Sequence, residues 1–212
     1  MTIGIVILAA GASTRMGTPK QLLLHQQHSL LRHTAEVAVA SVCRPIVVVL
    51  GAYAEQIKHE VSQLPVQVVE NLQWSDGMSS SIRAGIQALN SQPNKVEAVV
   101  IALCDQPFIS AQIINQLVEA YQTTDHLIIA SEYAGTLGVP ALFSHNLFSE
   151  LTTLPEAEGA KQVIKRYRQE VFLVPFPKGA IDIDTPKDYE QFRITVDSQV
   201  SCDSPPARFD SI

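Results

Sequence analysis

Apolar runs of strand length alternate along the chain with amphipathic segments, a rhythm that predicts parallel strands joined by helical crossovers and hence an α/β fold with a mostly parallel sheet. Nearly every position of Ile3-Gly4-Ile5-Val6-Ile7-Leu8-Ala9 is apolar, rather than every second one, so the first strand is expected to be buried on both faces. Ser29 is placed to cap a helix from Leu30 to about Val42, and Pro45 then opens a second buried strand that runs to Leu50 and closes at Gly51. Further strands are predicted over 66–69, 98–103, 127–130 and 171–174. Helices are predicted near 55–63, 80–90, 111–121, 147–151, 159–168 and 186–192. No internal repeat or linker-like break interrupts residues 1–195. Residues 196–212, with Ser201, Ser204, Pro205, Pro206 and Ser211, are expected to form an irregular tail.

The chain has 212 residues, about one and a half usual domain lengths, which favours one large domain. At 46% hydrophobic, 17% charged and 6% aromatic, it has ordinary globular composition with an aliphatic core, excluding bulk disorder and collagen-like repeats. Fifteen basic against 21 acidic residues give a net charge of -6, the wrong sign for coating nucleic acid or an anionic membrane. Any anionic ligand must therefore be held by a local pocket. No apolar run approaches the roughly 20 residues that span a bilayer, and the first run ends in a glycine loop rather than an export cleavage site, so a cytoplasmic location is expected. Cys43, Cys104 and Cys202 are widely spaced without any CxxC, which predicts reduced thiols and neither a disulfide framework nor a zinc site.

Strand one leads into Leu8-Ala9-Ala10-Gly11-Ala12-Ser13-Thr14-Arg15-Met16-Gly17-Thr18-Pro19-Lys20. This loop fits neither the P-loop nor the GxGxxG template, because five residues separate Gly11 from Gly17 and no Lys-Ser/Thr follows. Small residues let backbone N–H groups approach phosphate oxygens, and Arg15 and Lys20 can neutralise a polyphosphate. The carboxyl end of a strand is where open α/β sheets hold ligands. The plainer alternative is a tight connection with both cations solvated.

The string Leu8-Ala9-Ala10-Gly11-x-Ser13-x-Arg15-Met16-Gly17-x-x-Lys20 resembles the signature of the MobA-like nucleotidyltransferase superfamily, in particular its molybdenum-cofactor cytidylyltransferase branch. Four further matches follow in order: Gly77-Met78-Ser79-Ser80-Ser81, Cys104-Asp105-Gln106-Pro107, Gly138-Val139-Pro140-Ala141-Leu142-Phe143 and Asp182-Ile183-Asp184-Thr185-Pro186. The resemblance spans Ile5 to about Phe192. It implies a single-domain, Rossmann-like three-layer α/β/α sandwich of the nucleotide-diphospho-sugar-transferase type. It also implies transfer of a nucleoside monophosphate from a triphosphate onto a phosphorylated acceptor, with release of pyrophosphate. Because Ala-Ala-Gly in the first loop goes with cytidine and a Gly-Gly version with guanosine, Ala10 implies CTP. The implied acceptor is of the molybdopterin type, with a molybdoenzyme or its chaperone as a further partner.

Asp105 follows an apolar run and is expected at the tip of a central strand near the first loop. Asp182 and Asp184, two apart in an extended segment, would point the same way. Hard oxygen donors suit Mg2+ beside substrate phosphate, and the resemblance implies metal binding by Asp105 with Asp182 or Asp184. Alternatives remain open: Asp105 as a cap before Pro107, and Asp184 as the cap of a helix starting at Pro186. A phosphate nucleophile is already ionised near neutral pH, so no general base is required, consistent with the lack of a clear nucleophile-base pair. The catalytic burden falls on Asp105, on the metal and on Arg15 and Lys20 opposite the leaving pyrophosphate.

Ser79 and Ser80 are expected at a helix N-terminus, as nucleotide ligands or plain caps. The nucleotide-binding set is thus Leu8, Ala9, Ala10, Gly11, Ser13, Arg15, Met16, Gly17, Lys20, Ser79 and Ser80. Gly138-Val139-Pro140 opens a short strand framing the acceptor. Downstream, Glu156-Ala157-Glu158-Gly159-Ala160-Lys161 replaces the family's usual Gly-Asp-x-Gly-Ala-Arg, with Ala157 at the aspartate position. This departure leaves two alternatives: a transferase for another phosphorylated metabolite such as a sugar phosphate, or a non-catalytic nucleotide binder. His25 and His28 read as solvated, Cys104 and Trp74 as packing, and Glu156, Glu158, Lys161, Lys165 and Arg168 as a solvated helix face.

Overall fold

The computed structural model describes residues 1–156 and 158–202. β1 (Ile3–Ala9) lies centrally in a seven-stranded sheet, and all of its residues are buried. Side chains alternate along a strand, so Ile3, Ile5, Ile7 and Ala9 enter the core on one face while Val6 and Leu8 enter the core on the other. Two buried faces explain why the run has no polar position.

Next come a short hairpin, β2 (Leu24–His25) and β3 (His28–Ser29), then α1 (Leu30–Ala40), β4 (Ile46–Leu50), the single turn α2 (Ala54–Ile57) and β5 (Gln67–Glu70). They are followed by α3 (Met78–Asn90), β6 (Ala98–Leu103), α4 (Ala111–Thr123), β7 (Ile128–Tyr133) and β8 (Thr136–Ser144). The remainder is α5 (Phe148–Thr152), α6 (Ala160–Arg166), β9 (Val171–Pro175) and α7 (Pro186–Cys202). The sheet order is β5-β4-β1-β6-β8-β7-β9, with β8 antiparallel to both its neighbours and the other pairings parallel. α1 and α4 cover one face through Leu31, Ala35, Ala38, Ile113, Ile114 and Leu117. α3, α5 and α6 cover the other through Ile82, Ile86, Leu89, Phe148, Leu151, Val163 and Ile164. The molecule is a single-domain α/β/α sandwich with a mostly parallel sheet.

Ser29 caps α1 as expected, its hydroxyl accepting from the Arg32 N–H at 3.1 Å. Four expectations are corrected. The helix predicted over 55–63 is α2 followed by a 3-10 turn at Lys58–Val61. The strand opened by Gly138 is the nine-residue β8, joined to β7 through a turn at Ala134 (φ 48°) and Gly135 (φ 69°). The helix starting at Pro186 does not stop near Phe192, and the residues expected to be irregular from Ser198 are helical as far as Cys202. Residues 203–212 and Ala157 lie outside the described residues. A third small core of Met16, Leu30, Ile183 and Phe192 ties the first loop to α7.

Candidate active site

β1 and β6 run in register, Leu8 opposite Leu103, so the loop after β1 and Asp105 just beyond β6 emerge at one edge of the sheet. A cleft of about 280 Å³ lies there, bounded by Leu8, Ala9, Ala10, Gly11, Ala12, Lys20, Gln21, Leu103, Cys104 and Asp105 on one side and by Trp74, Ser75, Gly77, Met78 and Ser81 on the other. Gly51 sets how closely its walls approach: a Cβ there would come within 2.6 Å of the Ala10 carbonyl oxygen and 2.7 Å of Trp74 Cβ. Trp74 is 38% exposed and lines the cleft, so it is not a core filler.

The loop backbone is arranged for an anion. Gln21, 1% exposed, donates Nε2 hydrogens to the carbonyls of Ala9 and Gly11, each at 2.9 Å. The Ala52 N–H holds the Ala10 carbonyl at 3.1 Å, and the Tyr53 hydroxyl donates to the Ala12 carbonyl at 3.0 Å. The N–H groups of Met16 and Gly17 take the Ser13 carbonyl at 2.9 and 3.1 Å. Each carbonyl from Ala9 to Ser13 is thus paired with a protein donor. Among the described residues, the N–H groups of Gly11, Ala12, Ser13, Thr14 and Arg15 meet no protein acceptor. Unpaired successive N–H groups form an anion-binding concavity.

Lys20 pairs with Asp105 and, at 3.0 Å, with Asp184. Arg15 reaches the other Asp184 oxygen at 2.9 Å. Cations and acids therefore share one network. Burial opposes the Lys20 charge, but the Asp105 and Asp184 carboxylates beside it together hold the ammonium pKa above its ordinary value. Burial and then Asp105 push the Cys104 thiol up to about 12, keeping it neutral. Asp184 is presented by the backbone: the buried Ile183 donates its N–H to the Asp105 carbonyl at 2.9 Å. The start of α7 is capped by Thr185 and Asp188, which exchange backbone-to-side-chain bonds of 2.8 and 3.3 Å. The carboxylate of Asp184 is thereby left for Lys20 and Arg15. Asp182 stands outside this network, its pKa pushed up to about 6 by burial and then by the Asp105 and Asp184 carboxylates.

Across the cleft, α3 starts at Met78 after Gly77 (φ 98°), presenting its first-turn N–H groups. The serine hydroxyls face elsewhere. Ser80 Oγ lies 2.8 Å from the carbonyls of both Gln73 and Gly77 and accepts from Asn71 Nδ2 at 2.8 Å, while Ser79 Oγ donates to the Glu156 carbonyl at 3.3 Å.

The domain description "MobA-like NTP transferase domain" matches residues 5–171. The chain belongs to this family. Nicotine blue oxidoreductase of Paenarthrobacter nicotinovorans is 35% identical over 118 residues, 55% of this chain and 56% of that protein. The bifunctional protein GlmU of Legionella pneumophila (strain Philadelphia 1) is 28% identical over 176 residues, 80% of this chain but 37% of GlmU. The chain thus spans about half or less of the length of these curated relatives. Rv0371c of Mycobacterium tuberculosis H37Rv, solved in complex with manganese, superposes with a TM-score of 0.70 at 26% identity, covering 90% of this chain and 97% of that one.

In this member of the MobA-like family, Leu8, Ala9, Ala10, Gly11, Lys20 and Asp105 of the expected residues line the cleft. Arg15 joins them through Asp184. The side chain of Met16 is buried against Leu30, Ile183 and Phe192 and anchors the loop to α7. Gly17 (φ 77°) supplies a left-handed turn, and Ser13 is occupied in accepting the Lys20 N–H at 3.1 Å and donating to Gln21 Oε1 at 3.3 Å. The Ser79 and Ser80 hydroxyls serve the scaffold, while Ser81 lines the cleft and accepts from Asn71 Nδ2 at 3.0 Å. Sequence reasoning missed Gln21, Tyr53 and Ser81. The only signal for Gln21 was a polar residue beside Lys20 ahead of an apolar run. His25 is half-buried against His33 and Phe192, with ring centroids 4.3 and 5.1 Å away, while His28 pairs with Glu36 at 2.8 Å. Among the described residues no three His, Cys, Asp or Glu side chains gather into a ready-made metal group. Asp105 nonetheless keeps one buried oxygen, Oδ1, with no protein partner, which suits a hard cation.

Proposed function

We propose that this MobA-like transferase moves CMP from CTP onto the terminal phosphate of a molybdopterin-type acceptor, the molybdenum cofactor, and releases pyrophosphate. The observation that carries this reading is the single network of Arg15, Lys20, Asp105 and Asp184 beside a loop whose N–H groups are unpaired. In the reaction, an acceptor phosphate oxygen forms the bond to the α-phosphorus, the bond to the bridging oxygen breaks, and its electron pair leaves with pyrophosphate. The loop N–H groups hold the triphosphate, and Lys20 and Arg15 stabilise charge growing on the leaving group. The acceptor phosphate is ionised at neutral pH, so no side chain needs to remove a proton.

Mg2+ is the proposed cation, held by Asp105 together with Asp184 or Asp182; when bound it polarises the α-phosphate and offsets its charge. The partnerless Asp105 oxygen and the manganese complex of the Rv0371c relative support a divalent ion. Ala10 on the cleft wall supports CTP through the family resemblance. The catalytic unit is taken as residues 1–195, acting in the cytoplasm, with a molybdoenzyme or its chaperone receiving the product.

The test is pyrophosphate release from CTP and Mg2+ with and without molybdenum cofactor. Release only with cofactor is expected, and GTP supporting the faster release overturns the base assignment. A second reading, transfer to another phosphorylated metabolite such as a sugar phosphate, is favoured by the altered Glu156–Lys161 segment and by the similarity to GlmU. Release with a sugar phosphate in place of cofactor selects it. Nucleotide binding without release under any condition selects the non-catalytic binder.

A further inference from the structure

The carbonyl oxygens of the first loop would repel a polyphosphate if they faced it, so something must hold them back. Two side chains outside the cationic positions do so. Gln21 is fully enclosed and has its amide nitrogen on the carbonyls of Ala9 and Gly11 at 2.9 Å, while its oxygen takes the Ser13 hydroxyl at 3.3 Å. Ser13 in turn accepts the Lys20 N–H, which links the amide to the residue carrying the ammonium. Tyr53, from the far side, donates its hydroxyl to the Ala12 carbonyl at 3.0 Å. A peptide plane has its N–H and C=O on opposite sides, so fixing these carbonyls away from the cleft fixes the N–H groups that follow them toward it.

We propose that Gln21, assisted by Tyr53, is the positioning residue that turns the first loop into a polyphosphate receptor. It rests on the reading of this cleft as a triphosphate site and extends it to how affinity is set. Neither side chain needs to touch the ligand. Each acts by denying the loop the alternative in which a carbonyl faces the anion, and loss of either lets peptide planes rotate.

The test uses inorganic tripolyphosphate with Mg2+, titrated calorimetrically against the full chain. Because this probe carries no base and needs no acceptor, its outcome is separate from the CTP and cofactor reading. Gln21→Met keeps length and apolar packing but removes the amide, and is expected to weaken tripolyphosphate binding at least about tenfold, the size set by losing two carbonyl restraints. Tyr53→Phe is expected to weaken it about threefold. With nucleotide as substrate, the loss should enter as a raised KM for the triphosphate while the KM for the acceptor holds, a split that general loosening of the fold would not give. Unchanged tripolyphosphate affinity in a folded Gln21→Met protein overturns the proposal. Should that variant not fold, unchanged affinity in Tyr53→Phe overturns it instead.

Discussion

The first loop and the serine turn approach one cleft from opposite sides, and their polar side chains are used differently. In the loop, the charged ends of Arg15 and Lys20 reach the carboxylates, and residues beyond it, Gln21 and Tyr53, secure the backbone. In the serine turn, Ser79 and Ser80 secure the backbone themselves, and Ser81, which accepts from Asn71 Nδ2 at 3.0 Å, is the serine that lines the cleft beside the helix start. A polar residue inside a motif is thus not necessarily a ligand group. What decides is whether another donor or acceptor already satisfies the main chain nearby.

The largest test of this contrast is Lys20→Ala, which should lower turnover at least about tenfold and toward a hundredfold, measured as pyrophosphate release. Unchanged turnover would remove Lys20 from the chemistry and make the two sides equivalent. Next comes a pair of substitutions in the serine turn. Ser80→Ala strips the Gln73 and Gly77 carbonyls of a shared donor and should cost about 1–2 kcal/mol in urea unfolding. Ser81→Ala should instead weaken nucleotide binding about two- to threefold in a fluorescence titration. The reverse pattern would make Ser80 the ligand group.

The smallest effect concerns the anchorage of α7. His25 Nδ1 and His33 Nε2 have no partners, and burial lowers both pKa values, that of His25 to about 4. The unfolded chain therefore takes up protons first as pH falls below about 6.5. The histidine contribution is whole above that pH and declines toward pH 4, by about 1 kcal/mol once the partial exposure of His25 is allowed for, while Asp182 with its raised pKa acts in the opposite direction. Thermal unfolding of the parent and of His25→Phe, at pH values about one unit above and below the unfolded histidine pKa, measures it, and the same pH dependence in both proteins would refute it.

Much of the architecture was legible in the sequence because burial on two faces demands apolar residues at every position, as in β1 and β4. Ser29 was legible because a cap has its own chemistry. The β7–β8 turn was not, because Ala134 at positive φ carries no turn signature. The α7 extension was missed because its outer half lacks an apolar stripe. In the site, the charged residues were legible from motif spacing, whereas Gln21 and Tyr53 act on main-chain atoms that are brought near them only by folding.

The single main-chain bond from Ile183 to Asp105 joins two segments 78 positions apart. A growing polypeptide arrested ahead of Ile183 would carry the loop, Lys20 and Asp105 but not Asp184, the carboxylate that Arg15 reaches. The electrostatic circuit is therefore completed only when the segment leading into α7 docks beside the first loop.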